Sequence, residues 1–254
     1  MDLLEYRDSN GEVRHPWETA RFEVMLSLLE KHLTETPKAV ADIGCGDTFV
    51  VNSLSQLYTN TDFFAVDTAF SDDDITEFSK HNKLQNIQLL KSTNDISSKA
   101  LDLILLMDVI EHIDDDIAFL KDLKGLDSIN DSSLFFITVP AYQSLYSAHD
   151  KHLLHFRRYS RQQLKNTLNS SGFEILESGY FFSSLMGVRI LQKFQEKIFG
   201  AKDQKGLSQK AYDKNKADLI KSFLLLDFKF SQVFHKLKME LPGLSSYAIC
   251  RKHS

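Results

Sequence analysis

The chain has 254 residues, 43% of them hydrophobic and 26% charged, with a formal net charge of -5. That length suits one α/β domain with additions, the apolar content rules out wholesale disorder, and the mildly acidic balance argues against a dedicated nucleic-acid binder. Cys45 and Cys250, the only cysteines, stand at opposite ends and make no disulfide framework. The N-terminal residues lack the apolar core of a signal peptide, and no run approaches the roughly 18 apolar residues of a membrane span. The expectation is a cytoplasmic protein.

In chain order, Phe22, Met25, Leu26, Leu29 and Leu33 recur every three or four residues and predict a helix over 16–33, with Pro16 in its first turn. "KAVADIG" reads as a buried strand running into glycine, "FVVNSLSQLY" as a helix, and "DFFAVD" as a strand ending in Asp67. "DDDITEFSKH" opens with three acids, which favour a helix N-terminus electrostatically. "IQLL", "LDLILLM" and "LFFITVP" read as strands, the last stopped by Pro140. "SRQQLKNTLNSSGF" reads as a capped helix ending at Gly172, and "FEILESGYFF" as a strand. Residues 182–199 form an amphipathic helix with Met186, Ile190, Phe194 and Ile198 on one stripe, and 200–218 read as a polar, lysine-rich loop. "SFLLLDFKFSQVFHKL" is a second apolar helix and "SSYAICRK" a closing strand. Strands alternating with helices predict a parallel sheet covered on both faces. Nothing divides the chain, so one domain is expected over 1–254, with an N-terminal helical cap (about 1–36) and an inserted helical lid (about 182–238).

"VADIGCGDTF" at 40–49 carries the strongest signal. A strand runs into Gly44-Cys45-Gly46 and a helix follows, so the backbone can approach a ligand at a helix N-terminus. Asp67 ends the next strand 21 residues after Gly46, where a carboxylate can accept both hydroxyls of a ribose. A dinucleotide site wants a third glycine where Phe49 stands, and an uncharged residue in place of Asp42, whose carboxylate would repel pyrophosphate. An acid there suits a cation instead, such as S-adenosylmethionine with its sulfonium and ammonium groups.

On these residues the chain resembles the class I S-adenosylmethionine-dependent methyltransferases over roughly 38–180 plus the last strand. "VADIGCG" is similar to their first motif and "FFAVD" to their second. "LDLILLMDVIEHIDDD" is similar to the fourth-strand motif of many small-molecule members, and "LPGLSSYAICRK" to the terminal strand. The resemblance implies an α/β, Rossmann-like, seven-stranded, mostly parallel sheet with helices on both faces and an antiparallel last strand. It also implies that Asp42, Gly44, Cys45 and Gly46 surround the methionine part of the cofactor and that Asp67 binds the ribose, with Thr68 near the adenine. Asn94 and Asp95 fall where the family often contacts the adenine amine, and Met107 and Asp108 match the strand end beside the cofactor. One departure stands out: many members have a small residue soon after Gly46, where this chain has Asp47, Thr48 and Phe49. In "DVIEH", Glu111 and His112 read as polar groups that fix a loop opening a helix.

"SAHDKHLLHFRRYSR" at 147–161 holds three of the nine histidines and three arginines. It follows the fifth strand, at the edge where doubly wound sheets bind ligands. If the segment were helical, His149 and His155 would diverge by roughly 120°. With no cysteine alongside, no metal site is expected. Residues 149–161 carry a net +3, and arginine forks suit carboxylate or phosphate, although some could instead pair with acids such as Asp114–Asp116. The segment, and "RHPWETAR" near the N-terminus, resemble one bacterial branch of the family with the pattern H-D-x4-H-x-R-R-Y. There the segment is taken to line the acceptor pocket. That implies His149 or His155 as general base, with Arg157, Arg158 and Tyr159 orienting the acceptor, and Arg21 reaching the cofactor carboxylate or closing the pocket.

The expected function is methyl transfer to an oxygen or nitrogen of a small molecule, anionic or hydrophobic, rather than to a nucleic acid. The apolar stripes of 182–238 are compatible with core packing, a lid, a membrane surface or a homodimer. The rival readings are a cofactor-binding partner subunit without activity and an NAD-dependent oxidoreductase.

Overall fold

The structure, a computed structural model, describes residues 3, 14–81, 86–97, 100–199, 213–237 and 239–253. Seven strands make one sheet: β1 (Ala39–Ile43), β2 (Asp62–Val66), β3 (Ile87–Leu90), β4 (Leu103–Met107), β5 (Leu134–Pro140), β6 (Phe173–Phe181) and β7 (Ser245–Lys252), in the spatial order β3-β2-β1-β4-β5-β7-β6. The first five pair in parallel, and β7 inserts antiparallel between β5 and β6. β1 and β4 are buried at every position, as their unbroken apolar runs require of central strands covered on both faces.

Alternation within the strands sorts the core into two layers. Val40, Phe63, Leu105, Phe136 and Tyr247 face one side. That side is covered by α1 (Pro16–Leu29), α2 (Phe49–Leu57), α3 (Asp72–His81) and α8 (Lys214–Lys236). Ala41, Phe64, Ile104, Phe135 and Ala248 face the other, under α4 (Asp116–Lys124) and α6 (Arg161–Ser170). Each fully buried Leu or Phe contributes about 1.5–3 kcal/mol to such layers. Between β5 and α6 lie a 3-10 turn (Gln143–Leu145) and a short helix, α5 (Ala148–His152), and between β6 and β7 come α7 (Ser183–Phe199) and then α8. Cys45 and Cys250 are buried in opposite layers as free thiols.

The predicted elements return with shifted ends. α1 stops at Leu29 rather than at residue 33. α8 starts at Lys214, inside the stretch read as a loop, because only Ala217 and Ile220 carry the apolar period there and the lysines around them mask it. The remainder of that expected loop, 200–212, lies outside the described residues, as does most of 1–13. Glu111 and His112 sit on a single 3-10 turn, Ile110–His112, before α4 begins at Asp116, capped by the Asp115 side chain on the Ala118 amide (2.9 Å). α1 and α8 pack on the sheet through Val24, Met25, Leu28, Leu224 and Phe228. The opposite side of α8 exposes Leu219, Phe223, Leu226, Phe230 and Val233, spaced alternately by four and three residues.

Candidate active site at the carboxyl edge of the sheet

β1, β2 and β4 end level, with Ile43 beside both Val66 and Leu106. The strand order reverses direction at β1 and β4, so the crevice beyond their carboxyl ends is the place for a ligand. The glycine turn fills that place. Gly44 takes φ +70°, and a Cβ there would meet Val109 Cγ2 at 2.6 Å, so only glycine lets the turns after β1 and β4 approach so closely. Asp67 ties the β2 end to this turn: its Oδ2 accepts from the Gly46 amide (2.9 Å) and its Oδ1 from the Ala69 amide (2.9 Å).

Asp42 is 2% exposed, and its Oδ2 has no hydrogen-bond partner. Burial raises its carboxyl pKa to about 7, against the opposing pull of the Arg21 guanidinium. A buried, unsatisfied acid beside an exposed glycine can accept a donor or a cation from a ligand in the crevice. Cys45 is buried and its thiol pKa is pushed well up, first by desolvation and then by the Asp42 charge, so it is no thiolate nucleophile. Thr68, Asn94 and Asp95 are exposed, Asn94 and Asp95 on a 3-10 turn over Thr93–Asp95.

At the β4 end, Met107 is buried and Asp108 is half-buried with φ +60°, a left-handed backbone that a non-glycine residue adopts only under local constraint. Asp108 accepts from the Thr138 hydroxyl (3.1 Å) through Oδ1 and pairs with Arg21 through Oδ2. Arg21 lies over the Trp17 ring at 4.4 Å. The departure at Asp47–Phe49 now has a structural reason. Arg14 pairs with Asp47 and Glu18 and lies 4.0 Å over the Phe49 ring, and Phe22 meets Phe49 edge-on. "RHPWETAR" therefore docks the start of α1 onto the glycine turn. Sequence reading gave Arg14 and Thr138 no role. The matching signal, a bulky aromatic and an acid where small residues are common, was visible without its partner.

The 147–161 segment closes the same edge. Its helix stops at His152, and His155 lies beyond it, so a helical projection does not apply to His155. Asp150, fully buried, is the hub. Its Oδ1 accepts from His155 Nδ1 (3.0 Å) and Arg158 Nε (2.7 Å), and its Oδ2 from the Ser147 amide (2.8 Å) and hydroxyl (3.0 Å). Those hydrogen bonds hold its pKa well below the carboxylate range despite burial. Arg157 pairs with Asp114 and Asp116, the Tyr159 hydroxyl donates to Asp116 Oδ2 (2.6 Å), and Arg161 pairs with Glu240. Burial pushes the Tyr159 phenol up and out of the titrating range. His149 is half-buried, and desolvation lowers its pKa, which keeps its imidazole neutral near pH 7. The structure thus gathers all five predicted residues of this segment at one edge, but ties the arginines and Tyr159 to protein acids.

The chain belongs to the methyltransferase domain family, whose profile matches residues 17–178. No curated protein matches it in sequence. Among solved structures it is similar to the plantazolicin methyltransferase BamL in complex with a triazolic desmethylPZN analog and SAH, with 17% identity over 94% of this chain and 86% of that one and a TM-score of 0.57. A putative sarcosine dimethylglycine methyltransferase from Galdieria sulphuraria is 12% identical over 93% of this chain and 86% of that one, at 0.56. The [4+2]-cyclase SpnF is 13% identical over 93% and 83%, also at 0.56. Likeness at this level speaks for the fold alone, and a cyclase among the matches makes the point.

Proposed function

We propose that the protein is an S-adenosylmethionine-dependent methyltransferase that methylates an oxygen or nitrogen of a small molecule and releases S-adenosylhomocysteine. The observation that carries this reading is the buried, unpartnered Asp42 oxygen beside Gly44, at the strand reversal of a methyltransferase-family sheet. Asp42 would hold the cofactor's cationic amino-acid end, with Gly44, Cys45 and Gly46 cradling it. Asp67 would exchange its amide partners for ribose hydroxyls, Thr68, Asn94 and Asp95 would border the adenine, and Met107 and Asp108 would flank the reacting side.

The bound cofactor supplies an electrophilic methyl group on a sulfonium. What the chain contributes is alignment, which can lower such a barrier by roughly 7–11 kcal/mol. The acceptor's lone pair forms the new bond to carbon as the carbon–sulfur bond breaks, and the acceptor sheds a proton. The 147–161 segment offers two imidazoles to take it: His149, kept neutral by desolvation, and His155, whose Nδ1 is anchored on Asp150 so that Nε2 points elsewhere. Arg157, Arg158 and Tyr159 serve as positioning residues that fix this wall through Asp114, Asp116 and Asp150. α7 and α8, inserted after β6 at the same edge, border the acceptor side and suit a hydrophobic acceptor.

Calorimetry with S-adenosylmethionine, S-adenosylhomocysteine and NAD tests the reading. Binding of the first two and not NAD is expected, and absence of binding by both sulfur compounds overturns it. With cofactor bound, His149→Ala and His155→Ala are expected to slow methyl transfer on a responsive acceptor while sparing cofactor affinity.

A further inference from the structure

Beside the cofactor crevice lies a cluster that the reading above leaves unused. The 3-10 turn after β4 carries Glu111 and His112, and the Phe156 amide donates to the Glu111 carbonyl (2.8 Å), pinning the neighbouring His155 against that turn. One donor atom from each of Glu111, His112 and His155 lies within 4.8 Å of the others. The two imidazoles meet edge-on, with ring centroids 4.5 Å apart and planes at 88°.

Glu111 is the anomaly. Its side chain is fully buried, yet neither carboxylate oxygen accepts a hydrogen bond from another residue. Asp150 and Asp116, its buried acidic neighbours in this wall, are both satisfied by Arg, His or Tyr donors. Leaving a buried carboxyl unpaired is costly, so a group aimed at two imidazoles in this way calls for a partner. His155 is prepared for the same partner. Asp150 accepts from its Nδ1, which places the ring proton there and leaves the Nε2 lone pair for a ligand. A carboxylate behind the imidazole is how metal-ligating histidines are oriented.

We propose that Glu111, His112 and His155 bind a divalent first-row transition-metal ion. Two imidazoles with one carboxylate suit such an ion better than magnesium or calcium, which prefer all-oxygen sets. Ligands at about 2.1 Å around one tetrahedral ion stand roughly 3.4 Å apart, so modest rotation of the side chains closes the present spacing. Three protein ligands leave coordination positions open. His112 is half-buried and the His155 side chain is only 8% exposed, so an ion here sits just beneath the carboxyl edge, with its open positions toward the acceptor side. Their use by an acceptor oxygen rests on the methyltransferase reading, and His149 is then the imidazole left to take the proton. The ion site itself rests only on the cluster. The spacing of His149, His152 and His155 makes no such site; here the Glu-His pair comes from a turn distant in sequence.

The test uses the full chain, stripped by chelator and dialysed, then titrated with Co2+ and with Zn2+ by calorimetry and, for Co2+, visible absorption. One ion per chain with a ligand-field band is expected, with Glu111→Gln and His112→Ala each weakening binding at least 100-fold. His152→Ala, which alters an exposed histidine of the same segment, is expected to leave it unchanged. No stoichiometric binding, or equal affinity in wild type and both site variants, overturns the site. S-adenosylhomocysteine titrated into the same samples reads the cofactor site separately. Its failure everywhere would overturn the methyltransferase reading and leave the metal result standing.

Discussion

The glycine turn at 43–49 and the segment at 147–161 are both strand-to-helix connections on one edge of one sheet, yet their polar groups are used in opposite ways. The turn keeps an acid buried with an oxygen unpartnered and a glycine open to solvent. The segment is far richer in charge, but Arg157, Arg158, Arg161 and Tyr159 all meet acids of the chain itself. Charge density therefore misleads as a marker of ligand contact. Buried acids whose oxygens the fold leaves unsatisfied, here Asp42 and Glu111, are the better marker, because an unpaired buried carboxyl is costly and calls for a partner.

The comparison breaks most readily at Asp150. If the segment's charges are structural, Asp150→Ala strands the Arg158 guanidinium in a buried site and frees His155, a loss of about 3–5 kcal/mol. At roughly 2–4 °C per kcal/mol for a chain of this size, the melting temperature falls by about 6–20 °C. Differential scanning calorimetry would show it, and a change under 2 °C would mean that the hub carries no structural weight. Asp67→Ala should act in the converse way. It removes a charged acceptor from the ligand side, so affinity for S-adenosylhomocysteine drops roughly 100-fold, about 3 kcal/mol, on the scale of hydrogen bonds to charged groups. Calorimetric titration measures it, and an unchanged affinity would place the ribose elsewhere.

Tyr159→Phe sharpens the contrast within the segment. Losing the 2.6 Å hydrogen bond to Asp116 should cost roughly 1–3 kcal/mol of stability, while kcat on any accepted substrate stays within about twofold. A tenfold fall in kcat at unchanged stability would instead put the phenol on the acceptor.

Much of the molecule was legible in advance, for reasons specific to each part. β3, β5 and β7 fall on the residues that apolar runs bounded by turn chemistry indicate, and the Asp42–Gly46 turn needed only local backbone rules. What stayed hidden depends on contacts across the chain. Arg14 and Phe49 are 35 positions apart and meet only when α1 packs on the sheet. The start of α8 hid behind a lysine-rich composition. Glu111 read as a loop-fixing group because nothing in "DVIEH" reveals that His155 will be pinned against it. Local pattern fixes the strands and the glycine turn, whereas satisfaction of a buried charge is a tertiary property that no window of sequence contains.

The smallest expected effect is the most specific to the glycine turn. Burial holds the Asp42 carboxyl at a pKa of about 7, above its ordinary value near 4. A group raised in this way favours the folded state fully below about pH 4, and that contribution is lost as the pH rises through 7, because the folded protein must then hold a buried anion. A cationic ligand reverses the preference by pairing with the anion. Cofactor binding should therefore require Asp42 to lose its proton, so affinity falls about tenfold per unit, or 1.4 kcal/mol, as the pH drops below 7, and levels off above it. Binding below pH 7 should release up to one proton, visible as a dependence of the calorimetric enthalpy on buffer ionisation. Asp42→Asn, which cannot titrate, should bind weakly and flatten the profile. A pH-independent affinity in the parent protein between 5.5 and 8 would mean that Asp42 does not face the cation, and the contrast between a waiting acid and a satisfied wall would then rest on Glu111 alone.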